Sequence, residues 1–416
     1  MNDTQHSVST TQHSALPLEG IRVVELCTGA AGPTVAKCLA EYGAEVLRIE
    51  SRRRADSHRG GANKARWNKS PSFVKLHRGK KSVTINLQTE RGRQLVLDLV
   101  RVSDVVTENF SLGVLDRWGL GYNQLRTVKP DIILLSLKGL GNTGPHAHHI
   151  TWGPNLLCLF GMTYLWNHPG ASVPTQEARV QHPDFMAGVA GAAAVMAALL
   201  YRARTGQGQY IDGAQIETGA SLLGPYYLDY IVNGRNPEPA GNRRPGAAPH
   251  GAYPCADGPE RWCAISVEGQ EEWERFCKAI GDPDWCRDPR FATPLGRERH
   301  GEELDRLVGE WTHHHTGQEV MACLQAAGVA AAPIQDVEDM FQRDPHLKAR
   351  GLLVELNEPE MGPVVTEYPP VRLSETPPQI HTPAPLMGEH TEQVMRELLH
   401  LGDDEIEDLK AQGVLD

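Results

Sequence analysis

In the stretch QHPDFMAG, residues 181–188, one carboxylate, Asp184, directly follows a proline and heads a run of small residues, AGVAGAAAVMAALL. Asp is favoured at helix starts because it accepts backbone N–H bonds and meets the positive end of the dipole, so Asp184 could simply begin the helix. The same placement suits a nucleophile. A helix start lowers a carboxyl pKa and keeps the group ionised at neutral pH. An ionised carboxylate can attack an activated acyl carbon and form a covalent anhydride. Behind it, Gly188, Gly191, Ala192, Ala193 and Ala194 permit close backbone packing, which would hold the carboxylate rigidly.

A second constellation is cationic. Arg52, Arg53, Arg54, Arg59, Lys64, Arg66, Lys69, Lys75, Arg78, Lys80 and Lys81 crowd one segment. Most would be a solvated surface; some could meet an anionic cofactor carrying several phosphates, for which coenzyme A fits as well as NADP. A third is Gly29-Ala-Ala-Gly32 after an apolar run, with Glu50 ending the next one. It invites a nicotinamide or flavin reading, with Glu50 on a ribose. The spacing is G-x-x-G rather than G-x-G-x-x-G, so the glycines more simply make a turn. His313, His314 and His315 are adjacent and point in different directions on a helix, which argues for a solvated helix end and against a shared metal.

These residues need a scaffold. GIRVVELC reads as a strand, TGAAGP as a turn with Pro33 at the first helical position, TVAKCLAEYGA as a helix ending at Gly43, and EVLRIE as a strand. The alternation continues through SVTINL, GRQLVLDLVRV, DVVTENF and DIILLSL. Alternating strands and helices predict an open, Rossmann-like parallel α/β sheet with its ligand site at the carboxyl ends of the strands, where Glu50, Asn109 and Lys138 fall. The small-residue helix spans 185–204 and reads as a buried helix. NGRNPEPAGNRRPGAAPHG reads as a linker. The expected plan is a disordered tail at 1–17, a large domain at 18–235, a smaller α+β domain at 236–330, and a C-terminal segment at 331–416 returning to the large one.

The chain has 416 residues, beyond what one compact core holds. Its net charge of −11 argues against general nucleic-acid binding, so anions must be met by a local basic cluster. The start lacks a basic-then-apolar leader, and the eight cysteines form no C-x-x-C pair. Free thiols in a reducing cytoplasm, with no membrane span, follow as the expectation.

Several segments together resemble class III coenzyme A-transferases, the formyl-CoA, carnitine and bile-acid CoA-transferase family. They are LEGIRVVELCTGAAGPTVAKCLAEYGAEVLRIE, RGKKSVTINL, DVVTENFSLGVLDRWGLGY, DIILLSLKGLGNTGP, the D-x-x-x-G of Asp184–Gly188, AALLYRARTGQGQYID and AGVAAAPIQDV, in the family's order. The resemblance implies that coenzyme A moves from an acyl-CoA to a free carboxylic acid, with coenzyme A as co-substrate and no tightly bound cofactor or metal. It implies Asp184 as nucleophile, passing through an aspartyl anhydride and an aspartyl-CoA thioester. It implies cofactor contacts from Asn109 and Phe110 (the E-N-F turn), Arg117, Lys138 and the Gly32-Pro33 turn. Arg52 or Arg53 would replace a family arginine where Ser51 stands, and Arg78 and Lys80 belong to the basic phrase. It also implies an interlocked dimer, homodimeric or paired with a homologous subunit.

The sequence departs from the family at Ser51, at Ser111 and Leu112 after Phe110, at His77, and at Ala30, where the formyl-CoA type carries glutamine. A non-catalytic partner subunit is therefore one alternative. A related racemase branch needs a G-H-D segment; Thr151-Trp152-Gly153 stands there, which makes racemisation a minor alternative, as is an oxidoreductase. Trp152, Tyr164 and Trp166 lead toward Asp184 and either pack the core or line a substrate pocket. In the second case the acid is bulky and apolar, aromatic-substituted or dicarboxylic, and succinyl-CoA is consistent as donor.

Overall fold

The computed structural model describes residues 16–171, 182–380 and 382–415, so the expected tail lies almost wholly outside the described residues. The chain forms two compact units, one from residues 1–162, 178–228 and 348–416, the other from 163–177 and 229–347.

The first unit is built on a six-stranded sheet. Its strands are β1 (Arg22–Leu26), β2 (Glu45–Glu50), β3 (Lys81–Thr84), β4 (Val105–Glu108), β5 (Ile133–Lys138) and β6 (Tyr210–Ala214). Their order is β3-β2-β1-β4-β5-β6, and every pairing is parallel. The β-branched and leucine content of these strands suits a sheet buried on both faces. Because side chains alternate along a strand, Val24, Leu47 and Val106 enter one core while Val23, Val46 and Val105 enter the other. Register is tight: Val24 pairs with Leu47 on one side and Val106 on the other. The helices that position the site are α1 (Ala31–Glu41), α2 (Pro71–His77), α3 (Glu90–Arg101) and α4 (His182–Thr205). Thr89 caps α3 through Oγ1, which accepts from the Gly92 amide at 3.0 Å.

Two expectations shift locally. Pro33 is the third residue of α1, not the first, and still lies in the turn whose N–H groups have no helical partner. Helix α4 is long and apolar enough to cross a membrane, by length and composition alone. It is buried along one face only: Ala187, Gly188, Gly191, Ala192, Val195 and Ala198 are covered, while Val189, Met196 and Leu200 are exposed. The expectation of a buried helix thus holds for one face, and the opposite face exposes apolar side chains.

The second unit carries the antiparallel strands β7 (Ala247–Pro254), β8 (Trp262–Glu268) and β9 (Ala330–Pro333) in that order. Helices α5 (Gly269–Ala279), α6 (Gly301–Thr312) and α7 (Gly317–Ala326) bury Trp273, Phe276, Leu304, Val308 and Leu324 against them. The AAPHG end of the segment read as a linker belongs to β7, where Ala252 pairs with Ala264 and Gly251 with Ile265 in the β8 ladder. Backbone pairing outweighs the Gly and Pro content there.

The last segment of the first unit adds a hairpin, β10 (Leu353–Glu358) and β11 (Gly362–Glu367), and helices α8 (Thr391–Leu399) and α9 (Asp403–Ala411). Val394, Met395, Ile406 and Leu409 join the core that holds Val24. The Asn86 amide donates to the Val414 carbonyl at 2.8 Å and the His390 amide to the Ser82 carbonyl at 3.0 Å. These bonds cover the open edge beside β3.

Candidate active site

At the carboxyl ends of β1 to β4, where the strand order reverses, lies a cavity of about 430 Å³. That size falls within the range of small-molecule sites, and the place is where open α/β sheets bind ligands. Cys27 and Thr28 follow β1, Glu50 ends β2 and Ser51, Arg53, Arg54, Ala55 and Asp56 follow it, Ile85 to Gln88 follow β3, and Phe110, Arg117 and Trp118 follow β4. Arg53, Arg54 and Arg117 are exposed at its rim, and Arg54 and Arg117 make no ion pair with a described residue. The Phe110 and Trp118 rings meet edge to face, 5.3 Å between centroids. A cavity with three guanidinium groups and an aromatic wall can take a flat ring and several phosphates.

The walls are held by side-chain hydrogen bonds and ion pairs. The Asn109 side chain accepts from the Thr28 amide at 2.8 Å and donates to the Thr28 carbonyl at 2.7 Å, tying the β1 loop to the β4 loop. Lys138 Nζ donates to Glu108 and to the Phe110 carbonyl, both at 2.6 Å, and Glu108 accepts from the Phe110 amide at 2.9 Å. This pair fixes the backbone that presents Phe110. Below the β1 and β2 ends, Arg48 pairs with Glu25 at 2.8 Å and Asp56 at 2.9 Å, and Arg59 with Glu50 at 2.8 Å.

The structure therefore sorts the predicted cofactor residues. Phe110, Arg117 and Arg53 line the cavity; Asn109 and Lys138 act on its walls. Arg78 and Lys80 correct the expectation. Arg78 is fully buried on Glu41 at 2.6 Å, and Lys80 on Glu25 at 2.9 Å and the Pro33 carbonyl at 3.0 Å, so neither faces an anion from outside. Arg52 turns to the Met387 carbonyl at 2.8 Å. Gly32 does not line the cavity; a Cβ there would press on Cys27, so packing explains the glycine. Glu50 is committed to Arg59 and to Ser82 Oγ at 2.5 Å, which removes the ribose-binding role of the dinucleotide reading. Trp152, Tyr164 and Trp166 are exposed and none lines this cavity. Sequence reasoning missed Asn86, Gln88, Trp118 and Asp56; only Trp118, in the aromatic-basic DRWG phrase, carried a local signal.

Asp184 lies in the first turn of α4. Gly188, one turn on, packs on Ala31 and Thr34, and Gly191 on Val35, so α4 and α1 run side by side in the same direction. Stepping back one turn on both helices brings Asp184 level with the turn between β1 and α1. Among the described residues no cation pairs with it; Lys75 Nζ sits instead over the neighbouring Phe185 ring, 5.3 Å from its centroid. Burial raises the Asp184 carboxyl to about 6, against the lowering from its own backbone N–H. The sequence expectation of a depressed pKa is thus reversed, because desolvation outweighs the helix start. At pH 7 the group is still ionised by about ten to one, and the higher basicity makes it a better nucleophile. A step that needs the carboxylate should lose about tenfold per pH unit below 6 and level off above 7. A pH profile of kcat/KM checks this; a midpoint near 4 would contradict it.

Comparison with known proteins shows the family. Residues 18–391 match CoA-transferase family III. The chain is 32% identical to the succinyl-CoA–D-citramalate CoA-transferase of Chloroflexus aurantiacus, over 98% of this chain and 100% of that one. It is 33% identical to the beta subunit of the succinyl-CoA–L-malate CoA-transferase of the same organism, over 97% and 99%. A solved CAIB/BAIF family protein from Brucella suis superposes with a TM-score of 0.83 at 32% identity, covering 92% of this chain and 100% of that one.

Proposed function

The chain belongs to CoA-transferase family III, and we propose that it moves coenzyme A from succinyl-CoA to a dicarboxylic or other bulky carboxylic acid, with Asp184 as the nucleophile. The observation that carries this reading is Asp184 itself. It is a half-buried carboxylate with no counter-ion among the described residues, in the first turn of a closely packed helix, level with the turn that borders the cavity of about 430 Å³. The donor and the acid class are supported by the two relatives, whose names give succinyl-CoA with D-citramalate and with L-malate, both dicarboxylic acids.

The electron flow is balanced without a further reactant. The Asp184 carboxylate attacks the thioester carbonyl, an anhydride forms and CoA thiolate leaves. The thiolate attacks the aspartyl carbonyl, giving an aspartyl-CoA thioester and the donor acid. The acceptor carboxylate attacks that thioester, and the returning thiolate takes the acceptor's acyl group and frees Asp184. Arg53, Arg54 and Arg117 are placed to hold the phosphates, and Phe110 with Trp118 to flank a ring. Arg117→Gln is expected to raise KM for the acyl-CoA by about tenfold, with kcat little changed, since a phosphate contact remote from the thioester supports binding uniformly. Equal loss in kcat would remove Arg117 from this role.

The decisive experiment incubates the protein with succinyl-CoA, traps with hydroxylamine and maps the modified peptide. The expected peptide contains Asp184; modification elsewhere, with that peptide untouched, overturns the assignment. A second reading, an obligate partner of a homologous subunit, is favoured by the relative named as a beta subunit. It predicts exchange only after that second chain is added. A dimer accords with both readings, and a sedimentation measurement distinguishes one chain from two.

A further inference from the structure

We propose that Asp56 is a positioning residue for the coenzyme cavity, locking the turn after β1 and the arginine loop after β2 to each other. This deepens the function proposed above and rests on it. Asp56 is 5% exposed, and its carboxylate is fully used. Oδ2 accepts from the Gly29 amide at 3.0 Å and from Arg48 Nη2 at 2.9 Å; Oδ1 accepts from the His58 amide at 2.7 Å. Gly29 stands at a φ of +72°, a left-handed conformation that glycine takes without steric cost and that turns its amide onto Asp56. Arg48 extends the clamp, donating to Glu25 at 2.8 Å and to the Cys27 carbonyl at 3.2 Å.

Both segments so joined are walls of the cavity. Cys27 and Thr28 form one; Ser51, Arg53, Arg54 and Ala55 form the other. The loop has further anchors: Arg52 reaches the Met387 carbonyl, the Arg53 amide meets Ser51 Oγ at 3.2 Å, and the Arg59 and Gly61 amides close on the Asp56 carbonyl at 3.1 and 2.9 Å; among these bonds, those of Asp56 and Arg48 are the ones that reach the turn after β1. One buried carboxylate therefore sets the spacing between the phosphate-facing arginines and the turn level with Asp184. Nothing in the local sequence RRRADSHRG signals this, since the partners lie 27 and 8 residues away in the chain.

The test substitutes Asp56→Asn, which keeps the volume but sets an amide donor against the His58 or Gly29 N–H. Calorimetry with free CoA is expected to give a dissociation constant about tenfold higher than wild type. In steady state, KM for succinyl-CoA should rise by the same factor while KM for the acceptor acid stays within about twofold. A purely structural role would lower the folded fraction and leave both KM values of the folded enzyme unchanged; that result, or an unchanged CoA affinity, overturns the proposal. Should wild type itself fail to bind free CoA, the function proposed above is what falls. If D56N does not fold, hydrogen exchange on wild type decides: Gly29 and His58 amides protected like β1 support the clamp, and exchange at the solvent rate refutes it.

Discussion

Replacing Asp184 by alanine is expected to reduce CoA exchange by at least about 10³-fold while free CoA still binds with near wild-type affinity, because covalent catalysis loses its only attacking atom. The cavity proposed to take the coenzyme is lined by residues at the ends of β1 to β4 and does not include Asp184, so binding and chemistry are expected to be separable. Asp184→Asn adds a sign test on stability. The folded carboxyl sits near 6 and the unfolded one near the ordinary 3.8, so the folded chain holds the proton more tightly. Ionising the group in the folded state therefore costs stability. The cost is absent below pH 4, grows between 4 and 6, and is full above 6. The shift corresponds to about 3 kcal/mol, reduced by partial exposure to about 1–2 kcal/mol. At pH 7 the Asn variant should thus melt a few degrees higher than wild type and be inactive; at pH 4 the gain should vanish. A variant that is inactive and also less stable at pH 7 would point to a structural aspartate.

The second large effect is expected at Gly188. A Cβ there would stand 2.5 Å from Thr34 Cβ and 3.0 Å from the Ala31 carbonyl oxygen, inside the contact between α4 and α1. Alanine ordinarily favours a helix over glycine by about 1 kcal/mol, but overpacking a fixed backbone contact costs about 1–3 kcal/mol. The helices must separate, and Asp184, one turn away, moves with α4. A displacement near 1 Å at a nucleophile lowers kcat by about 10²-fold. Gly188→Ala is accordingly expected to lose kcat far more than CoA binding. Gly224→Ala is the control, since a Cβ there meets no atom within 4 Å, and it should be neutral. Wild-type kcat in the Gly188 variant would mean that this contact does not set the carboxylate's position.

Much of the fold was legible in the chain. Alternating apolar strands and amphipathic helices gave the parallel sheet, and the run of Gly and Ala after Asp184 marked a helix that packs closely. Family phrases placed Asp184, Asn109, Phe110 and Lys138 at element ends. The linker reading failed for AAPHG because a β-ladder to the next strand, β8, formed despite its Gly and Pro, with a register shift between Ala247 and His250.

Local sequence determined residue type, period and which strand end each polar side chain occupies, because those depend on neighbours within a few positions. Tertiary structure alone decided which charges face the cavity. Arg78 and Lys80 carry the same signal as Arg54 and Arg117 in the sequence, yet Glu41 and Glu25, 37 and 55 residues before them, draw them into the core. A buried cation must be paired, and its partner is chosen by packing rather than by spacing. The pKa of Asp184 followed the same rule: its place in the helix predicted a fall, and desolvation by distant neighbours produced a rise.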